Sequence, residues 1–252
     1  MNKWQRRIRS YTGYQLQRKV QKFFRKWFLA PLPADVIKTL KSKRVQVLDV
    51  GAGGRALGVL LPYAENIDMF MSEASKVEAE KLRAKKHPWH STTIIGQALG
   101  SKNGVETLYV TRSPSLSSLL KPDVSVINQY RFFSSYAEPA DGDYEVLREE
   151  IVETATLQSV MDKCQIKPYL IKLDTQGTEL SILQSGDLSE VQVILIEVDY
   201  VPLYTNQPVF EEIDAYLKGQ GFSLFRNSPF TADVRKDGKH VKVGGDAIYV
   251  RP

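Results

Sequence analysis

Three groups of residues have types and spacing that could do chemistry. The first is Val47, Leu48, Asp49 and Val50 running into Gly51, Ala52, Gly53 and Gly54. An apolar strand-like run ends in an acid and enters a glycine turn, where backbone can approach a ligand without interference from Cβ atoms. In open α/β sheets such turns lie at the carboxyl ends of strands, where ligands sit. The acid suits an ammonium group, as in the amino-acid part of S-adenosylmethionine (SAM). Alone, the turn does not separate SAM from a dinucleotide. It does lack the third spaced glycine of the dinucleotide fingerprint, because Arg55 and Ala56 follow Gly54. The second group is Glu73, about 20 residues further on, placed to accept hydrogen bonds from ribose hydroxyls. A solvated acid at a helix start gives the same pattern. The third is Ile171 to Glu179, in which a short apolar strand delivers Lys172 and Asp174 to its end. Gly177 allows a tight turn there, and Glu179 starts a helix.

These groups need a scaffold that presents strand ends along one edge. Val45–Val50, 69–72, 92–99, 169–173 and 193–198 read as short, mostly apolar strands. Runs of this kind are buried on both faces of a parallel sheet. Segments 78–86 and 210–217 read as the helices between them, 106–111 as a strand of an inserted hairpin, and 222–225 and 247–250 as the last strands. Strands alternating with helices predict a doubly wound α/β sheet of seven mainly parallel strands. Residues 113–150 show few clear elements but carry Tyr130, Phe132, Phe133 and Tyr136, which suggests a lid or a packed insertion.

Charge divides the chain. Residues 1–44 hold 13 Lys and Arg against Asp35 alone, a net +12, while the remainder is net −7. Within the arm, Leu16, Val20, Phe23, Phe24, Trp27 and Phe28 form one helical face and cations fill the other. The expected organisation is a basic amphipathic arm over 1–44 and a catalytic domain over 45–252. The single cysteine, Cys164, excludes an intrachain disulfide, and three histidines make structural zinc a poor fit. No apolar run approaches the roughly 18 residues of a membrane span, and no signal peptide is evident, so a cytoplasmic location is expected.

Taken in order, these stretches resemble the FkbM-type methyltransferase family. IKLDTQGTELSIL looks like its signature, VLDVGAGG like its SAM turn, and SEAS like its second-strand acid. ALGSKNGVETLYV with SLSSL, ETATLQSVMD, ILIEVDYVPLYTNQPVFEEIDAYLKGQGF and GGDAIYVR follow in the family's order, covering roughly residues 45–251. Gly53 stands where the family usually has Asn, and Arg55 where it has a second Gly. The resemblance implies the Rossmann-like class I fold and SAM as cofactor. It also implies O-methylation of a sugar or related natural product.

On that reading Asp49, Gly51, Ala52, Gly53, Glu73, Gln97 and Ala98 hold the cofactor. Asp174 is the first candidate for base or hydroxyl-orienting group, followed by Glu197 and Asp199 at the end of the fifth strand. No metal is expected, although Asp174 with Glu197 or Asp199 offers oxygen ligands of the kind magnesium takes. The expected partner is a sugar or glycoconjugate. The arm over 1–30 has the pattern of a helix that packs on the domain or rests on an anionic membrane surface. Nucleic acid ranks below both, because the body is acidic and no Asn/Asp-Pro-Pro-Tyr motif is present. A non-catalytic SAM-binding module is the remaining alternative.

Overall fold

The computed structural model describes residues 32–53, 57–132 and 142–252. The arm expected over 1–30 lies outside the described residues. Helix α1 (Ala34–Ser42) follows it and buries Val36 and Leu40 in the same core as Leu32 and Val45. Strand β1 (Val45–Val50) is buried along almost its whole length. A 3-10 segment, Gly58–Asn66, leads to β2 (Ile67–Ser72). Helix α2 (Lys76–Arg83) starts at Ser75, whose hydroxyl accepts from the Glu78 N–H. Strand β3 (Ser91–Ile95) then forms one edge of the sheet.

The third strand was expected to run over 92–99. It breaks at Gly96 and Gln97, and β4 (Ala98–Leu99) diverges into a second, three-stranded sheet. There β5 (Gly104–Thr111) pairs antiparallel with β7 (Val146–Ala155). The segment expected to lack clear elements therefore contains the start of β7, a 3-10 turn at Pro114–Leu116, α3 (Val124–Ile127) and β6 (Tyr130–Arg131). Strand β7 escaped notice because Arg148, Glu149, Glu150 and Glu153 break its apolar alternation.

Helix α4 (Leu157–Cys164), capped by Thr156, leads to β8 (Leu170–Leu173). Helix α5 (Glu179–Leu183), β9 (Val193–Asp199) and α6 (Phe210–Gly219) follow. The chain ends in a long hairpin, β10 (Ser223–Val234) and β11 (His240–Val250). Both hairpin strands were expected to be about four residues long. Their upper halves carry Pro229 and the pair Gly244–Gly245, which hide the strand pattern, and they extend over a separate small core.

The main sheet has the order β3-β2-β1-β8-β9-β11-β10-β6. Leaving aside the two-residue edge strand β6, the seven long strands lie in the order third, second, first, fourth, fifth, seventh, sixth. Strand β11 runs antiparallel to β9 and the others pair as expected of a doubly wound sheet. The order reverses between β1 and β8, and in open α/β sheets ligands bind at the carboxyl edge beside such a switch point. One core packs α4, α5 and α6 against one face, and a second packs α1 and the 3-10 segment against the other. A third, smaller cluster joins Tyr144, Leu203, Tyr204, Ala232 and Val243, with Leu116, Leu120, Ile127 and Phe132 packed on it. The described part of 113–150 is thus anchored over the carboxyl edge by its own apolar contacts. No helix among the described residues is long and apolar enough to cross a membrane.

Candidate active site

The glycine turn is tied to its neighbours by backbone. The N–H groups of Gly51 and Ala52 both point at Ser72 O, at 3.1 and 3.3 Å. Ser72 Oγ in turn donates to Gln97 O at 2.7 Å, which stitches the ends of β1, β2 and β3 together. Gly51 and Gly53 adopt left-handed conformations, φ +71° and +51°. The two glycines differ in what surrounds them. A Cβ at Gly51 would lie 2.1 Å from the Asp174 carbonyl oxygen, whereas one at Gly53 would meet nothing nearer than 3.8 Å. Gly51 lets two strand ends close on each other, while at Gly53 nothing among the described residues comes closer than 3.8 Å.

Glu73 reaches the same turn. Its carboxylate accepts from Ser75 N at 3.0 Å and from the Gly53 N–H. Burial pushes its pKa up, and the two N–H donors oppose that rise. This leaves a half-buried carboxylate beside the glycine turn. Gln97 Nε2 donates to Thr154 O at 3.4 Å. Ala98 is buried in the core of the second sheet, paired with Thr154 in the β4–β7 ladder.

Asp49 is fully buried and pairs with Lys172, which stands opposite it in the β1–β8 register. Lys172 Nζ lies 3.0 Å from Asp49 Oδ1, donates to Gly51 O at 2.8 Å and stands 3.7 Å from Asp174 Oδ2. Desolvation raises the Asp49 pKa and the ammonium of Lys172 opposes it. This lysine therefore supports the turn from beneath and links it to Asp174.

The loop after β8 is organised by Glu179. Its carboxylate accepts from Thr175 N, Thr175 Oγ1 and Gly177 N at 2.7, 3.0 and 2.8 Å. Burial raises its pKa. Gln176, in a left-handed conformation at φ +61°, is thereby turned toward the carboxylates. Its Nε2 donates to Asp174 Oδ1 at 3.0 Å and also to Glu197 Oε2. The structure thus brings two of the three candidate catalytic carboxylates, Asp174 and Glu197, onto one amide. Asp199 is held separately, accepting from Gln207 Nε2 at 2.5 Å.

Sequence reasoning missed Gln207 and Tyr204, and gave Gln176 only as an amide clustered with two acids at the same edge. Their one signal was an amide-rich loop just after an acid-ended strand. The histidines have partners elsewhere: His87 with Leu82 O, His90 with Arg44, and His240 with Asp233.

An open sheet with this strand order, a reversed seventh strand, a glycine turn after β1 and an acid after β2 defines a class I Rossmann-like methyltransferase. Residues 63–224 match the family described as the methyltransferase FkbM domain. The chain belongs to that family and is a SAM-dependent methyltransferase. Solved structures that match the chain include precorrin-6y C5,15-methyltransferase from Geobacter metallireducens GS-15. It shares 9% identity over 88% of this chain and 94% of that one, with a TM-score of 0.40. The glycopeptide N-methyltransferase MtfA complexed with sinefungin shares 12% identity over 91% and 90%, with a TM-score of 0.36. A precorrin 8W decarboxylase from Methanobacterium thermoautotrophicum shares 13% over 88% and 92%, also with a TM-score of 0.36. No curated protein matches the chain.

Proposed function

We propose that the protein transfers a methyl group to a hydroxyl of a sugar or glycoconjugate, with Asp174 as the proton acceptor. The observation that carries this reading is the Gln176 bridge, which holds Asp174 and Glu197 together at the carboxyl ends of the neighbouring strands β8 and β9. Bound SAM supplies a methyl group on a sulfonium that is already a good leaving group. The chain must therefore align the acceptor oxygen, exclude water and remove one proton. Gly51, Ala52, Gly53 and Glu73 would hold the cofactor at the turn, with Gln97 and Ala98 on its far side and Asp49 supporting the turn through Lys172. As the acceptor oxygen forms its bond to the methyl carbon, its proton passes to Asp174. Glu197 and Asp199 hold the neighbouring hydroxyls of the acceptor.

A divalent cation on Asp174 with Glu197 or Asp199 is the alternative way to acidify the hydroxyl. The amide N–H that Gln176 aims at both Asp174 and Glu197 favours direct proton transfer, since a cation would compete for those oxygens. Among the described residues, no three His, Cys, Asp or Glu are arranged to hold a metal ion.

The basic arm adds a second part to the reading. Its aromatic face and cationic face suit the surface of an anionic membrane, where lipid-linked glycans are found. The test of substrate class is methyl acceptance from SAM by glycan, glycolipid and RNA pools, with the products read by mass spectrometry. Methylation of RNA and not of glycans would overturn the sugar reading. The test of the arm is sedimentation with anionic vesicles: binding that weakens at high salt and disappears on deletion of 1–30 is expected.

A further inference from the structure

Two glutamine amides hold the carboxylates of the edge, and one residue orients both. Gln176 donates to Asp174 and Glu197, and Gln207 donates to Asp199. An amide can present either its N–H2 or its oxygen to a carboxylate, and only the first is attractive. In both glutamines the oxygen is engaged by Tyr204. The Tyr204 backbone N–H donates to Gln207 Oε1 at 3.0 Å. The Tyr204 phenol has one proton, shared between Leu116 O at 2.9 Å and Gln176 Oε1 at 3.1 Å.

We infer that Tyr204 is a positioning residue whose backbone N–H and phenol fix the two glutamine amides that hold Asp199, Asp174 and Glu197. The inference rests on the reading of these carboxylates as the catalytic edge.

Several observations support it. Tyr204 is 1% exposed, and its ring meets Tyr144 edge-on at 5.9 Å, so the phenol has little freedom to move. Burial and the nearby acids keep the phenol protonated and therefore a donor. Gln207 also packs against Gly177, where a Cβ would lie 3.1 Å from Gln207 Cγ, which presses the second amide against the loop that carries the first. The contact with Leu116 O ties the arrangement to the segment that covers the carboxyl edge.

The test separates the two arms of the device. Tyr204→Phe removes the phenol but keeps the ring and the backbone N–H. Loss of a donor to an ionised carboxylate raises its pKa. The charged and titratable groups near Asp174 include Lys172, Asp49, Glu179 and, across the Gln176 amide, Glu197. Near Glu197 they include Asp246, opposite it on β11, Tyr204 and, across the same amide, Asp174. None of these except Tyr204 changes in the variant.

Carboxyl carbon NMR titration of the full-length, cofactor-free protein should show Asp174 and Glu197 moving up by about half a pH unit or more in Tyr204→Phe. Asp199 should stay in place. Gln176→Leu should move the same two groups further, and Gln207→Leu should move Asp199 alone. The acid limb of the kcat profile of Tyr204→Phe should shift up in parallel, with SAM affinity within about twofold of wild type. Unchanged carboxyl titrations in folded Tyr204→Phe and Gln176→Leu would overturn the inference. So would an Asp199 that moves as far as Asp174 in Tyr204→Phe, since that marks a general loosening. Carboxyl shifts without any change in the kcat profile would support the positioning device and count against Asp174 as the base.

Discussion

Lys172 Nζ stands 3.0 Å from Asp49 Oδ1, with both side chains almost wholly buried beneath the glycine turn. The same ammonium donates to the Gly51 carbonyl, so one lysine joins the strand that ends in the turn to the strand that ends in Asp174. Removing one member of a buried pair leaves a charge without compensation. Lys172→Met should therefore destabilise the protein by about 3–5 kcal/mol. Asp49→Asn combined with Lys172→Met should cost less than the sum of the two single changes. Urea unfolding of the four proteins in the cycle measures this. Additive losses would show that the two groups do not interact.

Gly51 and Gly53 look alike in sequence but should respond differently to alanine. At Gly51 the new Cβ collides with the Asp174 carbonyl, so Gly51→Ala should lower both stability and turnover. At Gly53 no described residue stands in the way, and the left-handed backbone should cost about 1–2 kcal/mol. Unfolding midpoints and calorimetry with SAM distinguish the two. Gly53→Ala should lose SAM affinity out of proportion to its loss of stability.

Glu73 predicts a pH dependence. Its folded pKa is raised from 4.5 by burial, so its contribution to stability is fully present below the unfolded value and is lost as pH rises through the folded one. Wild type should lose stability relative to Glu73→Gln as pH increases above about 4.5. Denaturant midpoints of the two proteins between pH 4 and 7 give the difference, and a flat difference would contradict the raised value. At neutral pH, Glu73→Gln should also bind SAM more weakly by calorimetry, because an amide accepts fewer ribose hydrogen bonds.

Asp174→Ala should leave the fold and most of SAM binding in place and reduce turnover about a hundredfold or more, the usual reach of a general base. Normal turnover would remove Asp174 from that role. Turnover of wild type should be insensitive to EDTA. A loss restored by magnesium would favour the cation alternative.

The sequence by itself determined most of the main sheet and the strand ends that carry Gly51, Glu73 and Asp174. Strands β1, β8 and β9 are buried on both faces, so each reads as a short continuous apolar run that punctuation by Gly51, Asp174 and Asp199 makes visible. Glu73 was legible for the same reason, as an acid at a fixed step beyond the turn. Only the tertiary structure decided what those residues touch. Strands β7, β10 and β11 were missed or shortened because their outer halves serve local contacts with the second sheet and the third core, where charged residues, Pro229 and Gly244 interrupt the pattern. The Asp49–Lys172 pair depends on the register of parallel strands more than 120 residues apart in the chain. No local signal specifies that register. Tyr204, Gln176 and Gln207 meet through loops after different strands, and their roles follow from which end of each amide faces a carboxylate. Residue type states that an amide can donate or accept. Only its neighbours in space select between the two.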